Sequence, residues 1–229
     1  MDAIVEDLQD AYAWIRREGP GLFDIDLNRI GVIGHSAGGY LTLMTGFCVD
    51  PRPRALVSFY GYGDIAAAWY SQPDPHYCRE PEVAEREARQ GVGSRPTAGV
   101  SFDSAEAQGR GRFYLYCRQQ GLWPLEVSGH DPAERSPDDE PSWFDAFCPL
   151  RNVTEAYPPT LLIHGDEDTD VPFGQSVLMA GELESHGVNH EFLALPGSGH
   201  GFDGAGMEDP TVAEVFDRVL AFLGQHLME

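Results

Sequence analysis

Apolar positions along this chain change period several times, and the changes mark its elements. Ile4, Val5, Leu8, Tyr12 and Ile15 recur at near-helical spacing over residues 3–17, predicting an amphipathic helix with acids early and Arg16 and Arg17 late. Gly19-Pro20-Gly21 is expected to end it. Short aliphatic or β-branched runs at Ile30 to His35, Arg54 to Tyr60, residues 160–164 and residues 190–195 read as strands. A helix-compatible run follows the first of these and stops before Pro51 and Pro53. Gln175 to His186 reads as a helix closed by Gly187. Asp209 and Pro210 open a last helix with Val212, Val215, Phe216, Val219, Leu220 and Leu223 on one face. Strands alternating with helices predict an α/β fold with a mostly parallel sheet.

Between Gly61 and Pro159 the periodicity fails. This stretch carries Trp69, Trp123 and Trp143, and its strongest apolar run is Phe113-Tyr114-Leu115-Tyr116. It is too long for a simple connection, so residues 61–157 are read as an insertion, with residues 1–60 and 158–229 forming the core. Glu134 to Ser142, rich in acids, serines and prolines, is expected to be an exposed loop.

Candidate chemistry sits just past the strands. The first runs directly into Gly34-His35-Ser36-Ala37-Gly38-Gly39, the G-x-S-x-G arrangement of a nucleophile elbow. A sharp strand-to-helix turn needs small neighbours, and Gly34 and Gly38 are read as supplying that clearance. The bland alternative is a glycine-rich turn whose serine caps the next helix. A serine hydroxyl needs a base and a carboxylate, in the chain order Ser, Asp or Glu, His. The third strand leads into His164-Gly165-Asp166-Glu167-Asp168-Thr169-Asp170-Val171-Pro172, and the fourth into Pro196-Gly197-Ser198-Gly199-His200-Gly201-Phe202.

These three segments resemble the α/β-hydrolase family, in particular its acetyl-esterase, feruloyl-esterase, dienelactone-hydrolase and prolyl-oligopeptidase-like branches. The resemblance runs from about residue 3 to the C-terminus and is weakest in the middle. It implies Ser36 as nucleophile, Asp168 as acid and His200 as base, with the backbone N–H of Ala37 in the oxyanion hole. It implies hydrolysis of carboxylic esters of small or aryl acyl groups, with peptides or lactones as alternative substrates and a silent, truncated hydrolase as a further reading. The insertion would then be a cap over the nucleophile, against the alternative of surface decoration. The chain shows no H-G-G-G type segment for a second oxyanion donor, which is worth roughly 10²- to 10³-fold in rate. Compared with the family, about four strands before Ile30 are missing. That would leave the Ile30 to His35 edge uncovered and open to self-association as a homo-oligomer.

Rival residues exist for each role. Asp166 and Asp170 lie two positions either side of Asp168. Asp-Glu-Asp-Thr-Asp also resembles the start of a calcium loop, but Val171 replaces its glycine and Val177 its bidentate glutamate. His130, in Gly129-His130-Asp131-Pro132, competes with His200, although a simple turn explains it. His35, His164, His186 and His190 suit surface or packing roles. No metal or cofactor is expected.

Composition adds limits. The chain has 229 residues, a formal charge of −22, 37 acids and 15 basic residues, all of them arginine. Such an excess of acid argues against nucleic acid or an anionic membrane as partner; the small-molecule ester expected as partner is what the resemblance implies. Salt adaptation and a base-composition bias explain the lysine-free composition equally well. Cys48, Cys78, Cys117 and Cys148 form no C-x-x-C pair; free thiols in a reducing compartment are the first reading, with one or two disulfides as the alternative. The first residues form no signal peptide, and with the free thiols this gives a cytoplasmic expectation. Salt screens self-repulsion among the acids, so the melting temperature should rise between low and ~1 M NaCl; a flat profile by calorimetry would remove repulsion as a significant term.

Overall fold

The computed structural model describes residues 1–93, 105–132 and 143–228, with backbone alone for 105–108; Glu134 to Ser142 thus lies outside the described residues. In chain order the elements are α1 (Asp2–Phe23), β1 (Gly31–His35), α2 (Ala37–Cys48), β2 (Ala55–Phe59), α3 (Ala68–Ser71), α4 (Glu85–Gln90), α5 (Ala105–Gln120), α6 (Trp123–Ser128), β3 (Thr160–Gly165), α7 (Gly174–Ser185), β4 (His190–Leu195) and α8 (Pro210–Met228). Contacts divide the chain into one unit of residues 1–64 and 143–229 and another of residues 65–142.

The first unit is built on a parallel sheet ordered β1-β2-β3-β4. Strand alternation sends successive side chains to opposite faces. Ala55, Val57, Phe59, Leu161 and Ile163 pack against Val215, Val219 and Phe222 of α8 on one face. On the other, Leu56 and Leu162 meet Leu43 of α2 and Met179 and Leu183 of α7. Burial on both faces explains why β2 and β3 read as continuous apolar runs. Among the described residues β1 pairs only with β2, and Ile33 is 46% exposed.

The register sets where the loops emerge. His35 of β1 lies opposite Phe59 of β2, Phe59 opposite Ile163, and Gly165 opposite Leu195. All four strands therefore end at one edge of the sheet, and the segments after β1, β3 and β4 leave side by side.

Two expectations on element limits change. Helix α1 continues through Gly19-Pro20-Gly21 to Phe23 and ends at Asp24, which is left-handed with φ 52°. A proline removes one helical hydrogen bond but does not stop this helix, and the buried Gly19 lies against the Ile25 side chain, whose Cδ1 would be 2.4 Å from a Cβ there. Residues 143–157, expected within the insertion, pack in the first unit. Phe147 O accepts the Tyr40 hydroxyl at 2.9 Å, and the Tyr157 hydroxyl donates to Leu43 O beside Gly46.

The second unit is helical and built around a charge. The guanidinium of Arg118, on α5, is wholly buried and pairs with Asp74 at 2.6 Å. The rings of Trp69, Tyr70, Tyr77 and Tyr114 surround it at 4.8–5.6 Å from their centroids. Beside it the Gln119 side chain takes the Val83 N–H and donates to Tyr77 O and Pro81 O. A helix that turns Arg118 and Gln119 inward carries no apolar stripe, which is why periodicity fails here.

A Cβ added at Gly165 would lie 2.1 Å from Ser198 O, in the loop that leaves β4. Gly165→Ala should therefore cost about 1–3 kcal/mol, as overpacking does. Gly181→Ala in α7, which faces open space, should be neutral or stabilising by about 0.5–1 kcal/mol. Urea denaturation of the two variants separates a steric demand from helix propensity.

Candidate active site

Ser36 joins β1 to α2 in a backbone conformation that L-residues avoid, φ 54° and ψ −120°. The turn is tight because a Cβ at Gly34 would lie 2.1 Å from Gly38 O. Gly38 itself faces open space, so the clearance assigned to it from the sequence belongs instead to Gly39. A Cβ there would come within 2.8 Å of Phe59 O and 2.9 Å of Gly61 Cα. The absence of a side chain at 39 lets α2 press onto the end of β2. Ser36 Oγ makes no capping bond to α2, which sets aside the helix-cap alternative.

Oγ instead lies 3.0 Å from His200 Nε2. His200 Nδ1 lies 2.7 Å from Asp168 Oδ2. The structure thus brings together the three residues singled out from the sequence, from the loops after β1, β3 and β4. The Ala37 N–H, at the first position of α2, is not used within the helix and carries the positive end of its dipole.

Asp168 is the most constrained group of the site. Its side chain is fully buried. Oδ1 accepts the N–H groups of Asp170 at 2.8 Å and Val171 at 2.9 Å; Oδ2 takes His200 and lies 3.2 Å from His164 Nε2. Burial alone would raise its pKa, but the hydrogen bonds from His164, His200 and Val171 and the His200 charge outweigh burial and hold the carboxyl well below the usual range. His200 moves the other way. Burial disfavours its cation, yet the bond to Asp168 and the charges of Asp168, Asp170 and Asp203 raise its pKa.

The neighbouring carboxylates point to separate partners. Asp166 Oδ1 accepts the Gly197 N–H at 2.7 Å, tying the β3 and β4 loops together. Asp170 Oδ2 lies 3.5 Å from His200 Nε2, on the serine side of the ring. Asp168 is therefore the carboxylate at Nδ1.

Two histidines do more than the sequence suggested. His164 is wholly buried, with Nδ1 2.7 Å from Ser176 Oγ and Nε2 3.0 Å from Val171 O. A carbonyl only accepts, so Nε2 carries the proton, which also faces Asp168. Its position four residues before Asp168, at a strand end, was the available signal. His35 Nε2 lies 3.3 Å from Asp203 Oδ2, a residue that sequence reasoning passed over. His130 belongs to the second unit, where its N–H is taken by Ser128 Oγ at 3.0 Å after the left-handed Gly129. No disulfide joins the four cysteines.

Known proteins resemble this chain in part of its sequence and in its fold. The model of the prolyl oligopeptidase family matches residues 124–229, and the BD-FAE model matches residues 1–73. The chain is 25% identical over 225 residues to a non-reducing polyketide synthase of Preussia isomera, covering 89% of this chain and 10% of the synthase. It is 27% identical over 199 residues to esterase LipC of Mycobacterium tuberculosis, covering 86% of this chain and 40% of LipC. The chain thus spans well under half the length of these relatives. Among solved structures, a protein of unknown function from Staphylococcus aureus superposes with a TM-score of 0.71 at 21% identity, covering 99% of this chain and 73% of that one. An acetyl ester-xyloside bifunctional hydrolase from Caldicellulosiruptor lactoaceticus gives 0.56 at 22% identity, covering 96% and 65%. The fold is that of the α/β-hydrolases.

A raised His200 pKa adds stability that is fully present below the unfolded value of ~6.5 and is lost as pH rises through the folded value. For Asp168 the contribution is present above ~3.9 and lost as pH falls. Proton NMR of the imidazole should place the His200 midpoint above ~6.5. Asp168→Asn should bring it down, and Asp166→Asn should leave it in place.

Proposed function

We propose that the protein is a serine hydrolase of carboxylic esters, with Ser36, His200 and Asp168 as its catalytic groups. The observation that carries this reading is the unbroken hydrogen-bonded path from a strained, uncapped Ser36 hydroxyl through His200 to a buried, ionised Asp168. Ser36 Oγ attacks the acyl carbon while its proton passes to His200 Nε2. Asp168 holds the tautomer with Nδ1 protonated and stabilises the imidazolium. The Ala37 N–H and the α2 dipole face the oxyanion. The tetrahedral intermediate collapses as His200 returns the proton to the leaving alcohol, giving an acyl-enzyme. Water then adds with the same base, and the carboxylic acid and free Ser36 are released.

Small or aryl acyl groups are the substrate class we favour. Solved structures of this fold include a carbohydrate esterase from gut microbiota and an esterase of Thermogutta terrifontis bound to butyrate. A peptidase reading has its own support, since the prolyl oligopeptidase model matches the segment that carries Asp168 and His200. The same attack on an amide differs only in the leaving group.

A fluorophosphonate probe should label Ser36, identified by mass spectrometry of the labelled peptide, and Ser36→Ala should abolish it. On p-nitrophenyl acetate, Ser36→Ala and His200→Ala should each lower kcat by on the order of 10³ or more. Asp170→Asn should cost far less than Asp168→Asn. A panel of aryl esters, lactones and prolyl anilides then ranks the substrate classes. Labelling at another serine, or none, would sink the proposal.

A further inference from the structure

A second side-chain network runs beside the first and joins the same strands. Tyr60 follows β2 with φ 37°, and with Asp24 and Ser36 it is one of three non-glycine residues of positive φ among the described residues. A bulky residue persists in this region only when its surroundings hold it there. Its N–H is anchored on Ile163 O at 2.6 Å. Its ring sits 4.7 Å from that of His200, centroid to centroid, and its hydroxyl donates to Asp203 Oδ1.

Asp203 lies three residues beyond His200, in the 3₁₀ turn Phe202–Ala205. Its other oxygen is 3.3 Å from His35 Nε2. His35 is the last residue of β1, directly before Ser36, and its ring stacks on Phe59 at 4.3 Å. One carboxylate thus ties the His200 loop to the strand end that carries Ser36 and to the strand between them.

We propose that Asp203, gripped by Tyr60 and steadied by His35, is a positioning residue that fixes the His200 ring against Ser36. This rests on the roles given above to Ser36 and His200. Asp168 fixes His200 along the Nδ1 direction only, and a ring held at one nitrogen can still swing about that bond. The Tyr60 ring blocks that swing. The Tyr60 to Asp203 bond holds both the ring and the loop in place. Tyr60 is buried while His35 is 40% exposed, so Tyr60 is the stronger anchor and His35 the weaker. The charged and titratable groups facing His200 are Asp168 and Asp170 from the loop after β3, Asp203 from its own loop, and Tyr60 from the end of β2. His164 acts through Asp168 and His35 through Asp203.

The test uses the full chain with Tyr60→Phe, Asp203→Ala, Asp203→Asn and the double variant Tyr60→Phe/Asp203→Ala. Tyr60→Phe removes one oxygen and keeps the ring, so it should fold; it should lower kcat on p-nitrophenyl acetate roughly 10-fold with KM unchanged, as misplacement of a catalytic group does. Asp203→Ala should cost at least as much. The double variant should be no worse than Asp203→Ala alone, because both break one network. Asp203→Asn should recover most of kcat, since its carbonyl can accept from Tyr60 while its amide donates to His35 in the other tautomer. Wild-type kcat in Tyr60→Phe, or losses that multiply in the double variant, would overturn the proposal. Failure of wild type to label at Ser36 defeats the esterase reading separately. The network is then read from the His200 ring-proton NMR signals, which must shift in Tyr60→Phe; unchanged signals defeat the proposal as well.

Discussion

The Asp168 carboxylate is buried without a counter-charge of fixed sign, and much of the site follows from satisfying it. A buried ionised carboxylate is tolerated only when its lone pairs are used. Two are taken by backbone N–H groups of its own loop, which forces Asp170 and Val171 to curl around it. The others point at His164 and His200. His164 can serve only because Ser176 and Val171 O fix its ring, so α7 is drawn into the same arrangement. Once Asp168 is satisfied in this way, His200 Nδ1 is taken and Nε2 is left for Ser36 Oγ, with the Tyr60 ring packed against the imidazole.

The parallel sheet makes these demands compatible. Every strand ends at the same edge, so loops far apart in sequence leave within reach of one another. The cost appears as backbone strain at Ser36 and Tyr60 and as close approach at Gly39 and Gly165. These four positions are the points where the sheet, α2 and the loops after β3 and β4 are pressed together. Ser36 and Tyr60 both lie at the edge that carries the reactive groups, whereas Asp24, the third residue of positive φ, closes α1, and the sheet centre is ordinary apolar packing.

The second unit is organised by another logic. In a chain so rich in acid, Arg118 is nonetheless buried, with Asp74 and four aromatic rings. Arginine suits the place because its weakly hydrated, planar cation stacks on aromatic faces and pairs with a carboxylate at once. Removing one partner would leave an uncompensated buried charge, so the aromatic residues and the ion pair stand or fall together.

The sequence by itself determined the fold class, the order of the strands along the chain, and the identities of Ser36, Asp168 and His200 as the residues to watch. It could do so because strand periodicity, turn glycines and short motifs are local signals. Its reading of α1 failed at Pro20, because a proline costs a helix one hydrogen bond without forcing it to stop, and α1 runs on to Phe23. Hydrophobic periodicity marked an insertion but no elements within it, because α5 turns Arg118 and Gln119 inward, and no hydropathy pattern marks a charge that will be buried. The motif resemblance pointed to Asp168, but a shift of two residues preserves strand-end geometry, and it is the tertiary distances that put Asp168, and not Asp166 or Asp170, at Nδ1. Tertiary structure also raised His164, Tyr60 and Asp203 from bystanders to members of the site. Their roles rest on contacts with residues remote in sequence, which the order of residues does not record.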